Sequence, residues 1–250
     1  MSNVVVTPPE EPTSPPMSFP ARLLGVFISP GETFADIARA PNFLAPLILT
    51  IVSAVAVTET MIAKIGMAQI VRKSIEESGR AGSMNPDQMN QAVQQGAAIA
   101  GIIAHIAGLL GPPIFLLIIA GLGLLVLNAI LGAEAKFKTV FSVACYANLP
   151  GLIGAVMAIA LILFGDPEHF NPQNFIPSNL GFFLSPDTPK ALLVVASSLD
   201  IFTIWFLILL GLGLSEASVR KVKPLTVTVL FFGLWIVWVL GKVGWRMLVG

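Results

Sequence analysis

Residues 97–131 run for 35 positions without one Asp, Glu, Lys or Arg. As an α-helix such a run is about 52 Å long, well beyond the ~30 Å hydrocarbon layer of a bilayer. Charged residues make up only 11% of the 250-residue chain and hydrophobic ones 55%, whereas soluble proteins carry about 25% charge. The composition excludes an ordinary soluble domain. The expected fold is all-α, a polytopic membrane helical bundle.

Five transmembrane helices are expected, at about 43–63, 97–131, 140–164, 191–214 and 225–241. The second contains Gly111-Pro112-Pro113 at its middle. Two crossings cut from it would be too tight, so it reads as one long helix, kinked or tilted. Pro150 interrupts the third, and Asp200 lies within the fourth. The fifth is short, but Lys242 and Arg246 can snorkel, and Trp235, Trp238 and Trp245 are interface anchors.

Residues 1–20 hold six prolines and no Lys or Arg. They read as a disordered, Pro-rich cytoplasmic tail and lack the basic and apolar regions of a secretory signal. The membrane domain is then 21–250. Its first stretch, to Ala40, is amphipathic and suits either a helix flat in the headgroup region or one packed on the end of the bundle.

An extramembrane helical hairpin is expected over 64–96. Met67, Ile70, Val71 and Ile75 keep helical spacing, so the first helix should continue to about Ser78, ended by Gly79 and Gly82. Asn85-Pro86-Asp87-Gln88 then reads as an N-cap, a proline in the first helical position and an amide three residues past the cap. Ala92, Gly96, Ala100, Ala104 and Gly108 recur at four-residue spacing, a small-residue face suited to close packing against the first helix.

Short loops set orientation. Lys136 and Lys138 fall in 132–139, and Arg220, Lys221 and Lys223 in 215–224, while 165–190 carries Lys190 alone. The N-terminus and the first two loops should face the cytoplasm; the hairpin, the 165–190 loop and the C-terminus should face outward.

Phe137-Lys138-Thr139-Val140-Phe141-Ser142-Val143-Ala144-Cys145-Tyr146-Ala147-Asn148-Leu149-Pro150 resembles the third-span signature of bacterial Yip-type (Ypt-interacting protein) domain proteins. Leu199-Asp200-Ile201-Phe202-Thr203-Ile204-Trp205, followed by Gly211-Leu212-Gly213-Leu214-Ser215, is similar to the same family's fourth span. Ser29-Pro30-Gly31-Glu32-Thr33-Phe34, with Pro41 and Pro46, is similar to its lead into the first. The resemblance implies a five-span protein of the bacterial inner membrane with a cytoplasmic N-terminus. Eukaryotic relatives bind Rab-type GTPases, but their Asp-Leu-x-Gly-Pro motif is absent here and that role does not carry over.

Candidate positions are the polar residues and helix breaks inside the membrane: Glu59, His105, Pro112, Pro113, Asn128, Pro150 and Asp200. Asp200 either needs a partner or water-filled cavity, or lies in the first turn of a helix opened by Ser197 through a capping box; the Ser197-Ser198 pair favours the second. Glu59 is five residues from Lys64, a spacing that does not stack them, so it snorkels outward or bonds a neighbouring helix. His105 reads as a helix–helix contact rather than a ligand. The breaks at Pro112-Pro113 and Pro150 can mark a transport site or only improve packing.

No HExxH, GxSxG, Walker A or GxGxxG pattern occurs, and one cysteine supports neither a disulfide nor a Cys-based metal site. The expectation is a protein that is not an enzyme and binds no metal or cofactor. Fourteen basic and fourteen acidic side chains cancel, which gives no surface for nucleic acid. Expected partners are the lipid bilayer and an unknown protein, with a homo-oligomer left open. The role that fits best is a non-enzymatic adaptor or organiser at the membrane; the alternative is a small permease or channel using Asp200 and Glu59.

Overall fold

A computed structural model describes residues 15–165, 176–185 and 188–249. Most of the expected Pro-rich tail lies outside the described residues, and helix starts at Phe19, inside the stretch expected to be tail.

The amphipathic lead-in is two helices, α1 (Phe19–Ile28) and α2 (Pro30–Arg39). Ser18 caps α1, and Pro30, which cannot donate a backbone hydrogen bond, opens α2 right after Ser29. The two fold against each other with Gly25 directly over Thr33, a contact that leaves no room for a Cβ. Val26, Phe34 and Ile37 are fully buried. Of the two readings of this stretch, the structure adopts the one packed on the bundle.

The first span, α3, covers Leu44–Lys64. The expected continuous helix to Ser78 is broken instead at Gly66, whose φ of +83° only glycine adopts freely; α4 (Met67–Glu77) follows. Gly79, also at positive φ (+74°), leads out of α4 as expected. The next helix, α5 (Pro86–Leu124), opens with the expected reciprocal cap: Asn85 Oδ1 accepts from the Gln88 amide at 2.8 Å, and Gln88 Oε1 from the Asn85 amide at 3.0 Å. It runs unbroken through Pro112 and Pro113 and widens into a π-helical turn over Leu125–Ile130. The small-residue face does meet the preceding helices. A Cβ on Gly108 would come within 2.8 Å of Thr58 on α3, and one on Gly96 within 2.9 Å of Val71 on α4.

The third span is split near Pro150 into α6 (Phe137–Ala147) and α7 (Gly151–Phe164). The expected fourth span is two shorter helices, α8 (Lys190–Ser198) and α9 (Ile201–Glu216). The last, α10 (Pro224–Val249), is longer than expected. Four helical stretches are thus long and apolar enough to cross a membrane, at Leu44–Lys64, Pro86–Ile130, Phe137–Phe164 and Pro224–Leu248. Among the described residues the only β pairing is one bridge, Asn179 with Asp200.

Every residue of α6 from Thr139 to Ala147 is buried, including the lone Cys145 at 0% exposure. A helix buried on every side over Thr139–Ala147 lies in the interior, and α2, α5 and α9 pack on it. Next to it the backbones approach closely: a Cβ on Gly213 of α9 would lie 2.6 Å from both Phe34 and Val143. The bundle has two distinct ends. At one, the turn after α5 meets the turn after α9 through Val219 N–H to Ala133 O (3.0 Å) and Arg220 to Glu134 (2.6 Å). At the other, residues 181–185 gather beside the C-terminal turns of α10.

Candidate functional site

The break between α8 and α9 concentrates polar chemistry inside the bundle. Two helix ends meet there, and each leaves backbone groups without an intrahelical partner. Asp200 takes an extended conformation and caps α9: its Oδ1 accepts from the Thr203 amide at 2.8 Å and the Thr203 hydroxyl at 3.2 Å. The Ser178 hydroxyl donates to the other carboxylate oxygen. The backbone of the same segment splints the break, with Ile201 N–H to Ser178 O at 2.9 Å and Leu180 N–H to Leu199 O at 3.3 Å. This corrects the expected capping box. Asp200 is itself the cap, and Ser197-Ser198 end the preceding helix. The reason is that a segment 22 residues upstream supplies partners that let the helix stop and restart.

Beside Asp200, the Lys242 ammonium reaches from α10 and donates to Ser198 Oγ at 2.7 Å, while that hydroxyl donates to Val194 O at 2.7 Å. The serine proton points at a carbonyl and the lysine already acts as donor. The pair is a structural hydrogen bond between helices, not a nucleophile and its base. Two cavities adjoin it. One, of about 680 Å³, is walled mainly by apolar side chains of α5, α9 and α10, with Asn148, Ser198 and Thr203 as polar points. The other, of about 840 Å³, lies toward the bundle end among Lys190, Lys242, Trp245 and Arg246. Ser197, Trp238 and Lys242 line both.

A second polar network holds the N-terminal helices. Arg22 donates through Nε to Asp36 Oδ2 (2.8 Å) and through Nη2 to Asp36 O (3.4 Å), with Nη2 also 2.7 Å from Oδ2; Arg39 donates to Oδ1 at 2.7 Å, and the Met17 amide to Oδ2 at 3.1 Å. Burial alone would raise the Asp36 carboxyl. Hydrogen bonds from Arg39, Arg22 and Met17, together with the charge of Arg22, outweigh it and hold the group below its ordinary value. The Arg22 guanidinium also lies 6.0 Å from the Tyr146 ring centre, so the network reaches α6.

The remaining sequence candidates fall elsewhere. His105 Nε2 is 3.1 Å from Glu59 Oε1, joining α5 to α3, and its Nδ1 is 2.6 Å from Gly101 O. Asn128 clamps the turn after α5, accepting from the Ala135 amide (2.6 Å) and donating to its carbonyl (3.0 Å). Pro112 and Pro113 lie within α5, and Pro150 opens α7. Asp200 and Glu59 are not brought together: Glu59 pairs with His105 on α5, and Asp200 with Thr203 and Ser178. Among the described residues no cluster of His, Cys, Asp or Glu could hold a metal ion. The sequence alone marks neither the Arg22–Asp36–Arg39 network nor Lys242 as the partner of Ser198. The available signals were the Asp36–Arg39 spacing and a lysine following an uncharged run in α10.

A family model described as the Yip1 domain matches residues 24–242. The chain belongs to the Yip1 domain family. No curated protein and no solved structure matches it. The matched stretch of this Yip1 domain runs from α1 to Lys242, so it takes in Asp36, the α8–α9 break and both partners of the Ser198–Lys242 bond. The segments that resembled the family in the sequence form the buried α6 and the break itself. Family membership and four long apolar helices make this a multi-pass membrane protein.

Proposed function

We propose that this Yip1 domain is a non-catalytic organiser that recognises a protein partner with its water-facing ends, its N-terminus in the cytoplasm of a bacterial cell and its C-terminus outside. The observation that carries this reading is the α4–α5 hairpin. The 45 helical residues from Pro86 to Ile130 amount to about 67 Å, more than twice a hydrocarbon layer. The excess packs along the amphipathic α4, with Gly96 against Val71, as a stiff projection for a partner to meet. The interior supports the same reading. Among the described residues every buried side-chain nitrogen and oxygen has a partner, which suits a scaffold better than a reactive centre. A permease using Asp200 and Glu59 would need both on one water path, and they are bonded on separate elements.

Photo-crosslinkers placed at the exposed Asp87 and Gln91 in intact membranes test the proposal. A small, reproducible set of protein adducts is expected. Adducts to lipid alone would remove the organiser reading.

A further inference from the structure

The paired cavities at the α8–α9 break go beyond an organiser's needs, and their linings differ in kind. The 680 Å³ lobe is faced by Phe115, Ile119, Leu122, Phe206, Phe231 and Trp235. The 840 Å³ lobe holds Lys190, Lys242 and Arg246, with the Ser197 hydroxyl. The nearby Asp200 carboxylate is occupied by Ser178 and Thr203. Each lobe falls within the range of small-molecule sites. Lys242 stands where they meet, its stem among apolar side chains and its ammonium on Ser198.

We infer that this double cavity is a binding site for one anionic phospholipid, its phosphate held by Lys242 and Arg246 and an acyl chain lying in the apolar lobe between α5, α9 and α10. Three features select that ligand class. Lys242 and Arg246 lie four positions apart on α10 and both line the head lobe, which favours an anion. A neighbouring wall of aliphatic and aromatic groups, bordering the head site at Trp238, favours a hydrocarbon tail. Trp238 and Trp245, 67% and 69% exposed, are residues that settle at the headgroup level of a bilayer. The Lys242–Ser198 bond holds the ammonium in place before the lipid arrives, which lowers the ordering cost of binding. This inference is independent of the protein-partner proposal, since that one rests on the α4–α5 hairpin and this one on cavities lined by α8, α9 and α10.

Native mass spectrometry of the full-length chain tests it, with the protein taken from mixed micelles containing equal phosphatidylglycerol and phosphatidylcholine. Preferential retention of a single phosphatidylglycerol is expected. Lys242→Gln should weaken that retention about tenfold, the loss of one charge-assisted contact. Arg246→Gln, at an exposed position that folding does not need, should weaken it in the same direction. Equal retention of the two lipids by the wild-type chain, or unchanged selectivity in Arg246→Gln, would overturn the inference. So would displacement of the lipid by millimolar inorganic phosphate, which would mean that the site reads a free anion and not an amphiphile.

Discussion

Arg22 and Asp36 meet inside the N-terminal helical pair with side chains only 4% and 6% exposed, and two guanidinium nitrogens within 2.8 Å of one carboxylate oxygen. Removing either partner strands a charge in the interior. Asp36→Ala is therefore expected to destabilise the folded chain by about 3–5 kcal/mol, while the apolar pair Arg22→Met with Asp36→Leu should recover much of that loss. Thermal unfolding in detergent, followed by loss of monodisperse protein, measures both. A single substitution within about 0.5 kcal/mol of wild type would show that the pair does not fasten α1 and α2.

The same carboxylate sets a direction for pH dependence. Its folded value is depressed below the ordinary 3.8. A depressed acid stabilises the fold in full above the unfolded value, and this contribution falls away as the pH drops through the folded one. Stability should thus decline on acidification below about pH 4. In Asp36→Asn this part of the decline should vanish, because no proton is taken up at that position. Melting temperatures of the two proteins across pH 3–6 decide it; parallel curves would place the acid sensitivity elsewhere.

Asp200 acts as a helix cap, and caps have a recognisable substitution pattern. Asp200→Ala should cost about 0.5–2 kcal/mol, whereas Asp200→Asn, which caps nearly as well, should cost clearly less. Unfolding midpoints of the two variants separate the roles. Equal damage would mean that the negative charge itself matters, not the bond to the Thr203 amide.

Gly213 has Phe34 and Val143 where its Cβ would be, both at 2.6 Å. Gly213→Ala should overpack that junction at a cost of about 1–3 kcal/mol. Gly121→Ala on α5 is the matched control: its Cβ meets nothing within 4 Å, so the helix should be stabilised by up to about 1 kcal/mol. If the two variants melted alike, the close packing of α2, α6 and α9 around Gly213 would be wrong.

What could be read from the amino acids follows how far apart the interacting groups are. The cap at Asn85–Gln88 was legible because both partners lie within one turn. The stripe from Ala92 to Gly108 was legible because helical periodicity alone puts it on one face, with α3 and α4 the nearest neighbours. Gly66 was not, since apolar spacing continues on both sides and only its positive φ ends α3. Asp200 was read as part of a cap but in the wrong place, because Ser178 and Leu180 complete the break from a distant loop. The Arg22–Asp36 pair and the Lys242–Ser198 bond, 14 and 44 residues apart in sequence, form only once helices pack. Glu59 and His105, noticed separately, are joined for the same reason.

The only thiol in this chain, Cys145, is enclosed on the central helix at 0% exposure. Maleimides and methanethiosulfonates react with accessible thiolates, so the folded wild-type chain should stay silent toward them. A cysteine introduced at any outward position would then report alone, with no need to remove the native one from the tightest part of the bundle. The protein comes ready-made for spin labels, fluorophores and topology mapping.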